Sequence, residues 1–260
     1  MIGELDMHIF AGNAWPEIEH GDGSRTPLQA DGWQHARPGD ASLIQRCNGP
    51  TLDVSYGPGR LTVALAEHGI PALGIDATPH AVQLGQASGG LTLPRDVFGR
   101  VPGTGRWMTV LLVDGNVGIG GDPAALLRRV SELLTPLGQA LVELQPPGAA
   151  LRRAQVRLRR GAQASAWFPW AYVGVDQIAA VADGSGLSPA ETWSAADRWF
   201  AVLRPVQPAP DSWLPATGLS AEDTVRCAGD ASPAPAGDAS PARAGDASPA
   251  PAGDACTSNG

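Results

Sequence analysis

Between residues 50 and 204, short apolar runs alternate with segments whose apolar positions recur at helical spacing. Pro50-Thr51-Leu52-Asp53-Val54 reads as a strand. After a glycine-rich turn, Arg60 to His68 places Leu61, Ala64 and Leu65 on one helical face and stops at Gly69. A strand over Ala72 to Ile75 ends at Asp76. Thr78-Pro79, a cap followed by proline at the first helical position, opens a helix through Gln86, and Leu91 to Val97 reads as the next strand. Met108 to Val113 is nearly continuously apolar, as a central strand covered on both faces must be, and it ends at Asp114. Asp122-Pro123 repeats the cap signal; Leu126, Leu127, Val130, Leu133 and Leu134 then keep helical spacing up to the breaker Thr135-Pro136-Leu137-Gly138. A strand over Ala140 to Leu144 follows. Val156 to Leu158 and Ala166 to Tyr172 read as extended, and Val175 to Ala182 as a helix stopped by Gly184 and Gly186. Leu187 to Trp193 and Arg198 to Leu203 read as closing strands. Strands alternating with short helices predict an α/β fold with a parallel sheet and right-handed crossovers.

The periodicity ends at residue 204. Ala228-Gly229-Asp230-Ala231-Ser232-Pro233-Ala234-Pro235 recurs with an eight-residue period, carrying Arg243 in the last place of the second copy. Small residues, proline and a regular aspartate bury too little apolar surface to offset ordering entropy, so residues 205–260 are expected to be a disordered acidic tail. The whole chain has 18 Arg, no Lys and 26 acidic residues. Most of the excess negative charge lies in the tail.

With no long basic stripe, nucleic acid is not an expected partner. No apolar window is long enough to span a bilayer, and Met1 to Asp6 carries acidic residues where a secretion signal starts basic; the expectation is a cytoplasmic protein without a membrane partner. Cys47, Cys227 and Cys256 form no close pair, so neither a disulfide framework nor a metal site is expected.

The chemistry concentrates where the strand at Leu52 to Val54 runs into Ser55-Tyr56-Gly57-Pro58-Gly59 and then a helix, with Asp76 ending the next strand 17 residues after Gly59. Glycines at the strand end let the backbone approach a ligand, the helix start supplies free N–H groups, and a carboxylate on the neighbouring strand can hold ribose hydroxyls. A dinucleotide fingerprint requires glycine at position 62, which is Thr62, so an NAD(P)-linked Rossmann oxidoreductase is the less favoured nucleoside-binding reading.

On these residues the chain resembles the class I S-adenosylmethionine-dependent methyltransferases. Asp53, Gly57 and Gly59 match the family's first motif, while Ser55 stands at its first glycine and Tyr56 at a position that is usually small. The resemblance runs over residues 40–204. It implies a Rossmann-like, doubly wound, mostly parallel seven-stranded sheet with an antiparallel last strand. It also implies that Asp76 binds the ribose, that Ala77 lies on the adenine face and that Asp96 and Val97 meet the adenine edge. Asp114 and Asn116 would border the methionine group and the substrate. Residues 1–39 would be an N-terminal segment covering the pocket. Asp114-Gly115-Asn116-Val117-Gly118-Ile119-Gly120-Gly121-Asp122-Pro123 and Trp167-Phe168-Pro169-Trp170 further resemble actinobacterial methyltransferases without an assigned substrate.

The expected activity is methyl transfer from S-adenosylmethionine to a small-molecule acceptor by in-line displacement. The alternative is a non-catalytic S-adenosylmethionine or S-adenosylhomocysteine binding protein with a degenerate loop at Ser55-Tyr56. Asp114, ending a central strand on the ligand side, is the candidate general base, or else a cap for the loop that follows. The arginines from Arg152 to Arg160 read as a solvated face rather than an anion site. Trp167, Phe168, Trp170 and Tyr172 would either roof a substrate pocket or alternate in a half-buried strand. His68 and His80 receive no role.

Overall fold

The computed structural model describes residues 16–28 and 35–207. The tail from residue 208 with its repeats, Cys227 and Cys256, and residues 1–15 and 29–34 of the expected N-terminal cover lie outside the described residues. A seven-stranded sheet forms the centre, in the order β11-β12-β7-β6-β3-β4-β5. The strands are β3 (Thr51–Val54), β4 (Ala72–Asp76), β5 (Thr92–Pro94), β6 (Trp107–Leu112), β7 (Leu134–Leu144), β11 (Leu187–Ala195) and β12 (Arg198–Pro205). From β5 through β7 every pairing is parallel; β12 runs antiparallel to both β7 and β11, which makes it the antiparallel last strand.

The apolar run of β6 divides by alternation. Val110 and Leu112 face a core shared with Leu126, Leu127, Val130 and Leu133 of α4 (Pro123–Leu133), and with Ile178 and Val181 of α5 (Ile178–Ala182). Leu111 and Val113 face the opposite core, with Leu43 of α1 (Asp40–Ile44), Leu61 and Leu65 of α2 (Arg60–Glu67), and Phe200. Each fully buried leucine contributes about 1.5–3 kcal/mol, so both faces of the sheet are secured independently. Asp122 caps α4 by accepting from Ala125 N. Thr78 starts α3 (Pro79–Ala87) without a side-chain cap; its N–H donates instead to Asp76 Oδ1 at 2.8 Å.

Two elements differ from the sequence reading. The strand expected through Val97 stops at Pro94, because Asp96 accepts from Phe98 N at 3.0 Å and turns the chain. The Thr135 to Gly138 breaker sits inside β7 as an irregularity: Trp107 pairs with Leu134, but Thr109 already pairs with Gln139, leaving the intervening residues to bulge outward.

A second sheet, not anticipated as such, has the order β10-β8-β1-β2, with β9 (Gln163–Ala164) paired to β8. It joins β1 (Glu17–His20) and β2 (Arg25–Pro27) to β8 (Arg152–Arg160) and β10 (Phe168–Tyr172), all antiparallel. Among the described residues no helix is long and apolar enough to cross a membrane, and no His, Cys, Asp or Glu group is spaced for a metal ion.

Candidate functional site

A cavity of about 890 Å³ opens between the carboxyl ends of β3, β4, β6 and β7 and the inner face of the second sheet. Parallel strands put their carboxyl ends, and the loops leaving them, on one edge of the sheet, where ligands of doubly wound folds bind. Asp53, Ser55, Gly57, Asp76, Ala77, Asp96, Val97, Asp114 and Asn116 all line this cavity. Gly59 does not; it precedes α2 with φ 94° and lies beneath the loop, its Cβ position 3.4 Å from Gly85 Cα.

The loop turns through left-handed conformations at Ser55 (φ 56°), Gly57 (φ 58°) and Gly59. A serine there carries about 1–2 kcal/mol of steric cost that glycine would not. Its hydroxyl and the Gly57 N–H both lie 3.4 Å from Asp76 Oδ2. Burial pushes the Asp76 carboxyl above the ordinary range, opposed by the Thr78 N–H. Asn116 stitches the loop to the neighbouring strand end, donating to Val54 O at 3.0 Å and Ser55 O at 3.1 Å. Asp53 is 3 % exposed and accepts from the Thr62 hydroxyl at 3.0 Å; burial lifts its carboxyl to about 7. Thr62, which replaces the third glycine of a dinucleotide motif, is thus the partner of the motif's acid.

Tyr56 is 6 % exposed, and its ring lies in a slot between β4 and α3. A Cβ on Gly74 would stand 2.6 Å from Tyr56 Cγ, and one on Gly85 would overlap Tyr56 Cε2. The hydroxyl donates to Ala81 O at 3.0 Å. The bulky residue is matched by two glycines that sequence reasoning had not connected with it.

Asp114 sits in an ion-pair network. Its φ of 58° turns the chain at the end of β6, and one carboxylate oxygen accepts from Arg37 while the other accepts from Arg60 Nη2 at 2.7 Å. Its own N–H donates to Glu143 Oε2 at 2.7 Å. Arg198 grips both Glu143 oxygens at 2.9 Å and donates to Asp40 Oδ1 at 2.8 Å, and Arg60 also binds Asp40. Three guanidiniums and three carboxylates therefore balance. Burial disfavours the charges, but Arg60 and Arg198 hold the Asp40 carboxyl below the usual range, and the carboxylates keep Arg60 and Arg198 more firmly protonated than usual. Arg37, Arg60 and Glu143 line the cavity beside Asp114, and their spacing in sequence gave no hint of this cluster.

The second sheet closes the cavity from the other side. Ile18 of β1 and Val156 and Leu158 of β8 face inward. The intervening arginines face away: Arg157 and Arg159 bind Glu19, and Arg157 lies 4.6 Å from the Trp167 ring centroid. Phe168, Trp170 and Tyr172 of β10 line the cavity, so the aromatic stretch is both a half-buried strand and a roof. β10 rests directly on the turn Asn116–Gly121: a Cβ on Gly118 would overlap Ala171 O, and one on Gly121 would lie 2.7 Å from Pro169 Cβ.

Solved structures share this architecture. A SAM-dependent methyltransferase from Bacteroides fragilis, crystallised with S-adenosyl-L-homocysteine, matches with a TM-score of 0.65 at 18% identity, covering 78% of this chain and 92% of that one. The fold is that of the S-adenosylmethionine-dependent methyltransferases. The methyltransferase fold also appears in the Burkholderia thailandensis 1,6-didemethyltoxoflavin-N1-methyltransferase, with bound 1,6-didemethyltoxoflavin and S-adenosylhomocysteine (TM-score 0.50, 18% identity, 65% of this chain and 76% of that one). The CcbJ methyltransferase of Streptomyces caelestis has it as well (TM-score 0.51, 17% identity, 68% and 96%). The sequence itself matches no family profile and no curated protein.

Proposed function

We propose that the protein transfers a methyl group from S-adenosylmethionine to a small-molecule acceptor bound beneath the second sheet. The observation that carries this reading is the left-handed Ser55-to-Gly59 loop with the Asp76 carboxylate against it at the end of the adjoining strand. The residues fit the cofactor. Asp76 Oδ2 holds only two long contacts among the described residues, from the Ser55 hydroxyl and the Gly57 N–H at 3.4 Å each, and it can exchange them for ribose hydroxyls. Ala77 would lie on the adenine face and Asp96 and the Val97 N–H along its edge, with Asp114 and Asn116 flanking the methionine group. When bound, S-adenosylmethionine supplies an electrophilic methyl group on a sulfonium.

The chain's own contribution is positional. Holding the acceptor in line and excluding water supplies most of the acceleration for such a displacement, and the second sheet covers the cavity in the way this requires. Asp114 acts by fixing the carboxyl end of β6 through Arg37 and Arg60, because neither of its oxygens can take a substrate proton without giving up an ion pair. Tyr56 buried in its own slot favours a competent loop over a degenerate one. A small-molecule acceptor is supported by the enclosed cavity and by the bound 1,6-didemethyltoxoflavin of the Burkholderia enzyme.

Calorimetric titration of the whole chain with S-adenosylmethionine, S-adenosylhomocysteine and NAD tests the reading. The first two should bind, and Asp76→Ala should weaken both by about 10–150-fold, the value of charge-assisted hydrogen bonds worth about 1.5–3 kcal/mol. Tighter binding of NAD, or binding indifferent to Asp76, would refute it.

A further inference from the structure

The part of the cavity lined by the second sheet has a composition that specifies what it accepts, and this inference rests on reading that part as the acceptor site. We infer that the acceptor is an uncharged molecule with a flat, aromatic or otherwise apolar body. The walls are Ile18, Leu28, Val156 and Leu158 on the aliphatic side and Phe168 and Trp170 on the aromatic side. The indole of this pair is confined on one side. Trp170 Nε1 lies 2.8 Å from where a Gly118 Cβ would be, leaving the indole no room to swing toward the turn, and Phe168 meets it edge-on at 6.2 Å and 82°. Aromatic faces set nearly at right angles complement a planar ring through stacking on one and edge contact with the other.

The charged residues that line the cavity at the ends of β6 and β7 argue against an ionic acceptor. Arg37, Asp114 and Glu143 line it together, and each is already paired within the six-residue network. An anionic acceptor drawing on Arg37 would compete with Asp114 for its charge, and a cationic one drawing on Glu143 would compete with Arg198. Either competition weakens an ion pair already partly shielded from water, which is costly in a low-dielectric site. A neutral ring has no such competition, and its polar substituent can point toward the network without disrupting it.

The test uses the full chain saturated with S-adenosylhomocysteine and three probes with one ring system and different charge: 2-naphthol, 2-naphthalenesulfonate and 2-naphthylmethylammonium, titrated by calorimetry. The neutral probe should bind at least about tenfold more tightly than either ion, the discrimination expected when one ion pair is weakened. Leu28→Asp, at a half-buried position in the aliphatic wall, should reverse the order between the neutral and ammonium probes while leaving S-adenosylhomocysteine affinity within about threefold. Equal or tighter binding of an ionic probe to the unaltered chain would overturn the inference, as would absence of binding by all three probes. Failure of S-adenosylhomocysteine itself to bind would instead overturn the methyltransferase reading beneath it.

Discussion

Alanine at position 85 tests whether the Tyr56 ring occupies the slot that keeps the ligand loop open. Gly85 is inside α3, where alanine gains about 1 kcal/mol of helix propensity over glycine. Its Cβ, however, would overlap Tyr56 Cε2 and lie 2.9 Å from the hydroxyl and 3.0 Å from Thr92 Cγ2. The ring cannot step aside, because Gly74 flanks it on the other edge and its hydroxyl is tied to Ala81 O. Overpacking of this kind costs about 1–3 kcal/mol. Gly85→Ala should therefore destabilise by up to about 2 kcal/mol net, a fall in Tm of up to about 8 °C at about 2–4 °C per kcal/mol. Removing the ring changes the outcome. In a Tyr56→Ala background, itself about 3–5 kcal/mol less stable, the two closest obstructions are gone and the Thr92 methyl stands at 3.0 Å. Gly85→Ala then becomes neutral or stabilising by up to about 1 kcal/mol. Urea denaturation of the four proteins should give a coupling energy of about 1–3 kcal/mol. An equal cost for Gly85→Ala in both backgrounds would show that Tyr56 does not fill the slot, and the argument for an open loop would lose its support.

Two further perturbations address the charged groups. Asp53, lifted by burial to about 7 from an unfolded value near 3.9, holds its proton longer in the folded state. Its contribution to stability is therefore fully present below about pH 4 and lost as pH rises through about 7; Asp53→Asn should flatten that part of the fall in urea midpoints between pH 4 and 8, and an unchanged slope would contradict the assignment. Arg198→Met leaves Asp40 and Glu143 without their shared guanidinium and should cost about 3–5 kcal/mol, as breaking a buried pair does. A Tm lowered by less than about 3 °C would mean that solvent relieves the network.

The main sheet was legible because its signals are local. Caps with proline at 122–123, the unbroken apolar run of β6 and the glycines at 57 and 59 each act within a few residues of where they are written. The same locality made the cavity-lining residues readable: eight of those expected at strand ends do line one cavity together with Ser55, since parallel strands gather their carboxyl ends at one edge. Asp114 was read as a base or a loop cap for the same reason. What placed it in an ion-pair cluster was Arg37, 77 residues earlier in the chain, and Arg60, 54 residues earlier. No spacing rule connects side chains across such separations.

The second sheet was hidden for a related reason. β1 has four residues, too few for alternation to stand out, and its partner β8 lies more than 130 residues onward. In β8 the arginines dominate the composition, and only the pairing with Glu19 on one face and the burial of Val156 and Leu158 on the other show it to be a two-sided strand. The two sequence stretches that looked distinctive, Asp114 to Pro123 and Trp167 to Trp170, turn out to be the two sides of one contact. Gly118 and Gly121 are glycines because the backbone of Ala171 and the ring of Pro169 lie where their side chains would be. A side chain at either position would push β10 away from the turn and with it the aromatic wall of the cavity. The glycines of this stretch thus hold the roof down, and the polar groups that would meet a ligand stand on the strand ends beside them.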